Sequence, residues 1–187
     1  MLLTDRLKDY RILLASKSPR RRELLKGCGL EFEIAEGRDA EESFPADMPL
    51  GEVAEYLSKV KSEAYVDTLT EGDILITADT VVIAAGEILG KPKDREDAVR
   101  MLHLLSGSSH EVVTGVTLRT LDKERSFSCR SVVRFRGMSD GEIEYYIDTY
   151  HPYDKAGAYG IQDSGFVSHI TGDYDNVVGF PTYRVKQ

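Results

Sequence analysis

The stretch Ile74-Leu75-Ile76-Thr77-Ala78-Asp79-Thr80-Val81-Val82-Ile83 sets two β-branched apolar runs on either side of four residues that include an acid. Each run reads as a strand, because branched side chains fit a pleated, buried surface. Ala85-Gly86 supplies the turn of a hairpin, and the chain returns through Ile88 and Leu89. This reading puts Asp79 at a strand end. An acid there, facing a cleft, can ligate Mg²⁺ or activate a water, and it can equally cap a turn; the local pattern leaves all three open.

Upstream, Arg11-Ile12-Leu13-Leu14-Ala15 is a short apolar run bounded by Ser16-Lys17-Ser18-Pro19, a buried strand that delivers the chain into a turn. Ser18 is a good N-cap and Pro19 suits the first helical position, so a helix follows until Gly27 and Gly29 stop it. Phe32-Glu33-Ile34 starts another strand, followed by an acidic loop with Asp39, Glu41 and Glu42. Leu50, Val53, Ala54, Leu57, Val60, Ala64 and Tyr65 recur at helical spacing and predict a helix over 50–66.

Downstream, Asp94 caps a helix carrying Ala98, Met101, Leu102 and Leu105, with Gly107 at its end. Glu111–Thr120 and Ser126–Arg136 read as strands around Leu121-Asp122-Lys123-Glu124, the second with Phe127, Cys129, Ser131, Val133 and Phe135 on one face and Arg130 and Arg134 on the other. Ser139-Asp140-Gly141-Glu142 is a capping box opening a short helix. A β-like stretch is expected near Val177-Val178. Helices and strands intermix throughout, which predicts an α/β class with a mixed sheet, a single domain over 1–187 in two lobes around a cleft.

Composition narrows the function. Hydrophobic residues at 41% and charged residues at 30% are ordinary globular proportions and exclude a disordered or low-complexity chain. The 24 Lys and Arg against 32 Asp and Glu leave a net charge of −8, a field that repels polyanions and argues against a nucleic-acid polymer or a membrane surface as partner. The polar N-terminus, with Asp5, Arg6, Lys8 and Asp9, is unlike a secretory leader, and a cytoplasmic location is expected. Cys28 and Cys129 fall in no ligand-spaced cluster and read as packed thiols, and the four histidines form no metal motif.

Against that acidic background Ser16-Lys17-Ser18-Pro19-Arg20-Arg21-Arg22 stands out. Helix-start N–H groups and guanidinium forks together suit an anion, most naturally phosphate, although cations at a helix start oppose its dipole. Lys91, in Gly90-Lys91-Pro92, is a second basic candidate, and Lys59 and Lys61 read from the helical pattern as surface charges. Lys155-Ala156-Gly157-Ala158-Tyr159-Gly160-Ile161-Gln162 is small and Gly-rich, fit for a planar ligand whose edge Gln162 could read, or for a tight turn between strands.

In order along the chain, Leu14-Ala15-Ser16-Lys17-Ser18-Pro19-Arg20-Arg21-Arg22-Glu23-Leu24-Leu25, Ala78-Asp79-Thr80-Val81-Val82, Gly90-Lys91-Pro92, Leu105-Ser106-Gly107, Asp154 to Gln162 and Asn176-Val177-Val178-Gly179-Phe180-Pro181 resemble the Maf family of nucleoside triphosphate pyrophosphatases. The resemblance implies an inosine-triphosphatase-like α/β fold with a mixed twisted sheet, flanking helices and a central cleft. It implies hydrolysis between the α and β phosphates with a divalent cation, Mg²⁺ or Mn²⁺. The form of residues 155–162 resembles the dTTP/UTP branch; a 7-methyl-GTP or modified-nucleotide enzyme and a nucleotide-binding regulator of septum formation are the alternatives.

Residue by residue, the resemblance makes Asp79 the proton acceptor and, with Glu42, the metal ligand, Glu41 being the neighbouring alternative. It links Arg20, Thr80 and Gln162 to substrate selection, and places Ser16, Arg21, Lys61 and Lys91 in the phosphate and cleft contacts, which overrides the surface reading of Lys61. The partner expected is a nucleoside triphosphate, with a homodimer as an allowed assembly. Asp163 stands where a glycine is common in relatives, and the chain ends soon after Phe180-Pro181-Thr182, so any C-terminal helix should be short or absent.

Overall fold

The computed structural model describes residues 1–187. A short helix α1 (Leu3–Leu7) leads into strand β1 (Arg11–Leu14), helix α2 (Pro19–Gly27) and strand β2 (Glu33–Ile34). An irregular segment reaches helix α3 (Val53–Glu63), then come strands β3 (Asp73–Ala84) and β4 (Glu87–Leu89) and helix α4 (Arg95–Leu105). Strands β5 (Ser109–Arg119) and β6 (Glu124–Phe135), helix α5 (Asp140–Tyr150), strand β7 (Val167–Thr171) and the short helices α6 (Tyr174–Val178) and α7 (Thr182–Lys186) complete the chain.

One seven-stranded mixed sheet runs in the order β2-β1-β3-β5-β6-β7, with β4 paired to β3 off that path. β1 pairs parallel with β2 and β3; every other pair is antiparallel. The structure departs from the sequence expectation at Asp79 and at Val177-Val178. The apolar runs around Asp79 are one continuous strand, so Asp79 lies in mid-strand; Thr77 and Thr80 extend as readily as their apolar neighbours and both find hydroxyl or carbonyl partners. Val177 and Val178 are helical, because Asp173 caps the turn by accepting the Asp175 N–H and Gly179, at φ 127°, ends it. The last strand is instead Val167–Thr171, on the edge of β6.

The other elements follow their local chemistry. Ala85 and Gly86 both take positive φ, 49° and 75°, the twist that a two-residue hairpin requires. Ser18, Asp94 and Ser139 cap α2, α4 and α5 as their sequences predict. The helix expected over 50–66 holds α-geometry only from Val53 to Glu63, with tighter turns at Leu50–Glu52 and Val66–Thr68. The C-terminal helix α7 is five residues long.

Alternation along β3 assigns its two faces. Leu75, Thr77, Asp79 and Val81 look toward α3, where Val53, Ala54, Leu57, Val81 and Val113 form one buried cluster. Ile76, Ala78, Thr80 and Val82 look the other way, over Leu25 of α2 and Phe180 at one end and over α4 and α5 at the other. Gly115, opposite Asp79 in the register, sets the distance on the α3 side. A Cβ built there would lie 2.3 Å from the backbone of Ala54, so α3 rests directly on the sheet.

Gly115→Ala is therefore expected to cost about 3 kcal/mol or more, since backbone rather than a flexible side chain must give way. Urea unfolding measures it; a loss of less than about 1 kcal/mol would mean that α3 is not seated as described.

Candidate active site

β3 bonds to β5 from Leu75 to Ile83, but its other edge is covered only at the ends, by β1 up to Ile76 and by β4 from Val82. The Ala15 N–H donates to the Ile76 carbonyl, so by the two-residue repeat the backbone groups of Ala78 and Thr80 point to that same edge, where no strand lies opposite them. A cleft of about 850 Å³ opens at this gap. Because the edge is bare, side chains from both faces of β3 reach one space: Asp79 from the α3 side and Thr80 from the α2 side.

Eight basic and four acidic residues line the cleft, the reverse of a chain whose net charge is −8. That reversal concentrates positive potential where the field of the whole molecule is negative, the arrangement expected for a small polyanion.

On the α3 side, Lys61 Nζ lies 2.5 Å from Asp79 Oδ1 and 3.2 Å from Glu42 Oε1. Lys61 sits in the last turn of α3, where the helix dipole favours a cation, and its charge lets two carboxylates share one small space. Asp79 is held at 14% side-chain exposure while Glu42, on the loop, is at 62%, so one carboxylate is fixed and the other is adjustable. Glu41 instead accepts from the Ser43 hydroxyl at 3.0 Å and does not line the cleft.

On the other side, Arg21 projects from the first turn of α2. Its Nε donates to the Gly179 carbonyl at 2.8 Å and its Nη2 to Thr80 Oγ1 at 2.9 Å. Burial lowers the guanidinium from its ordinary value and Asp79 pulls it back, which leaves a desolvated cation short of anionic partners. Arg20 approaches Asp154 at 3.8 Å across the cleft, and Ser16 accepts the Ser18 N–H at 3.2 Å at the turn. Lys91 lines the cleft from the loop after β4.

The residues singled out in the sequence therefore come together with one exception. Ser16, Arg20, Arg21, Glu42, Lys61, Asp79, Thr80 and Lys91 all line the cleft. Gln162 is solvent-exposed and outside the lining, although its neighbours Tyr159, Gly160 and Ile161 are part of it. That loop is tied from behind: the Gly160 N–H donates to Tyr146 Oη at 2.9 Å, and Tyr146 donates to Asp163 at 2.7 Å, which also pairs with Lys155 at 3.3 Å. Arg38 also lines the cleft, held by Asp67 at 2.8 Å; nothing in its sequence surroundings marks it.

The Maf-like protein family matches residues 11–187. The chain belongs to that family. A dTTP/UTP pyrophosphatase of Bacteroides thetaiotaomicron is 47% identical over 96% of this chain and 94% of its own length. One from Porphyromonas gingivalis is 48% identical over 97% and 94%. Among solved structures, the Staphylococcus aureus Ham1 protein aligns with TM-score 0.51 and 17% identity, covering 85% of this chain and 91% of that one, which establishes the fold alone. This is the mixed α/β, inosine-triphosphatase-like architecture expected from the sequence. No helix of this Maf-family chain is long and apolar enough to cross a membrane.

Behind the cleft wall, His110 of β5 is buried at 2% exposure among Phe135 and Tyr159, its Nε2 2.7 Å from the Tyr159 hydroxyl and its Nδ1 without a partner. Burial pushes its imidazole down to about 4. The unfolded chain, with an ordinary imidazole near 6.5, takes up this proton first, so stability is full above about pH 6.5 and falls as the pH drops toward 4. The loss attributable to His110 is expected to reach about 3 kcal/mol, and His110→Phe should flatten that part of the profile in urea titrations. An unchanged slope in the variant would show that His110 does not titrate as a buried neutral group.

Proposed function

We propose that this chain is a nucleoside triphosphate pyrophosphatase that hydrolyses dTTP and UTP to the monophosphate and pyrophosphate. The observation that carries the reading is the bare edge of β3, where a fixed carboxylate, Asp79, and a desolvated arginine, Arg21, face one basic cleft. The names borne by the 47% and 48% identical relatives supply the substrate class. A volume of about 850 Å³ is ample for one nucleotide.

The residues fit a hard divalent cation. Asp79 and Glu42 converge on one point, now held by the Lys61 ammonium, and offer oxygen donors of the type Mg²⁺ and Mn²⁺ prefer. No group of three His, Cys, Asp or Glu residues that could hold a metal exists in the chain, so triphosphate oxygens and water would complete the coordination, as is usual for Mg²⁺ on phosphate substrates. When bound, such a cation supplies charge neutralisation on the phosphates and polarises the reacting phosphoryl group.

In the proposed reaction Asp79 accepts a proton from the water that attacks the α-phosphorus. The new P–O bond stays with the monophosphate, the α–β bridging P–O bond breaks, and pyrophosphate leaves with that electron pair. Arg20, Arg21 and Lys91 hold the β and γ phosphates and stabilise the charge that develops on the departing group. Ser16 and the turn N–H groups ahead of α2 hold a phosphate oxygen. Glu42 and Lys61 set the charge and position of Asp79.

Pyrophosphate release with Mg²⁺ or Mn²⁺ against dTTP, UTP, 5-methyl-UTP, CTP, GTP and 7-methyl-GTP tests the reading. Preference for dTTP and UTP is expected; a preference for 7-methyl-GTP would move the substrate class, and no turnover at all would favour a binding regulator. Asp79→Asn should lower kcat by about 10²- to 10⁴-fold while nucleotide still binds, and a near-normal rate would remove Asp79 from its role. Gln162→Ala should alter the ranking of dTTP, UTP and purine triphosphates more than the rate. An unaltered ranking would shift base selection to Tyr159, Gly160 and Ile161.

A further inference from the structure

Thr80 has one hydroxyl proton, and its neighbours dictate where that proton goes. Thr114 faces Thr80 across the β3–β5 register, with the two hydroxyl oxygens 2.9 Å apart. Thr114 also lies 3.1 Å from the Asn176 backbone carbonyl, which can only accept. Thr114 therefore spends its single proton on that carbonyl and can only accept from Thr80. Thr80 in turn donates to Thr114 and accepts from Arg21 Nη2 at 2.9 Å.

The line has one direction: Arg21 to Thr80 to Thr114 to Asn176. Its far end is anchored. The Asn176 side-chain amide donates to the Val112 carbonyl at 3.2 Å and to Ser131 Oγ at 3.0 Å, and Ser131 donates to the Asp173 carbonyl at 3.0 Å, which pins the short α6 to β5 and β6. The same segment presents the Gly179 carbonyl to Arg21 Nε. Thr114 and Asn176 are both fully buried and do not themselves line the cleft.

Two of the five guanidinium N–H donors of Arg21 are thus committed to the protein, and the other three are free for phosphate. A freely rotating arginine would have to lose that freedom on binding each substrate; here the fold has already fixed it. With its proton committed, Thr80 has no donor to offer a base.

We propose that Thr114 and Asn176 are positioning residues for Arg21, and that Thr80 acts on the substrate through Arg21 rather than by contacting the base. The inference rests on the pyrophosphatase reading and deepens it: the group they position is the one that grips the leaving pyrophosphate.

The test combines Thr114→Val, Thr114→Ser, Thr80→Val, Thr80→Ser and Arg21→Lys. Each is measured for kcat and KM with dTTP, UTP and CTP, and for affinity toward inorganic pyrophosphate with Mg²⁺ by calorimetry. Thr114→Val and Thr80→Val should each lower kcat/KM by about 10- to 100-fold, equally for all bases, and weaken pyrophosphate binding. The Ser variants should recover most of the loss. In the Arg21→Lys background, adding Thr114→Val should change pyrophosphate affinity little, because the positioned group is gone.

Additive losses in that cycle would overturn the proposal, as would a Thr80→Val enzyme that re-ranks the bases with pyrophosphate affinity intact. Where Thr114→Val folds poorly, Thr80→Val, at the cleft, carries the same cycle. An unmutated chain that binds pyrophosphate but hydrolyses nothing would fail the function while the affinity cycle still decides the positioning. One that does not bind pyrophosphate would overturn the positioning as well.

Discussion

β3 is paired without a break from Leu75 to Ile83 on one edge and only at its ends on the other, and the chemistry of the molecule depends on that interruption. A central strand normally hides its backbone and separates its two faces. Here β1 ends opposite Ile76 and β4 starts opposite Val82, so a buried strand borders the cleft from Ala78 to Val82. Consecutive side chains that alternation sends to opposite faces, Asp79 and Thr80, can then serve one ligand. Neither a continuous sheet nor a loop would combine the rigidity of a strand with access from both sides.

What seats the carboxylate and the guanidinium is different on the two faces. On one, Gly115 leaves no side chain between the sheet and the Ala54 backbone of α3, and the last turn of that helix brings Lys61 within 2.5 Å of Asp79. On the other, α2 starts next to the gap because Ser16 and Ser18 shape the turn, and hydroxyls and carbonyls hold Arg21 in place where carboxylates would neutralise it. The result is a cleft in which Lys61 bridges Asp79 and Glu42 while Arg21 is left without a carboxylate partner.

Much of this was legible in the sequence because it is local. Ser18-Pro19, Asp94 and the Ser139 capping box announce helix starts, and Ala85-Gly86 announces a turn, through chemistry confined to a few neighbours. The run of three arginines stood out because it contradicts both the dipole and the net charge. Features built by distant contacts were not readable: Asp79 looked like a strand end because polar residues interrupt an apolar run, whereas Ser58 and Thr114 satisfy the hydroxyls of Thr77 and Thr80 and let the strand continue. Val177 and Val178 looked like a strand until Asp173 and Gly179 bounded them as a helical turn. Lys61 reads as a surface charge from periodicity, and only its family resemblance placed it in the cleft.

In the proposed complex the triphosphate binds against the bare edge of β3. The most direct test is amide chemical-shift perturbation by α,β-imido-UTP in the presence of Mg²⁺. The largest shifts are expected at Ala78 and Thr80, whose N–H groups face the gap, and at the turn ahead of α2. Shifts confined to the outer surface around Gln162, with Ala78 and Thr80 unmoved, would contradict it.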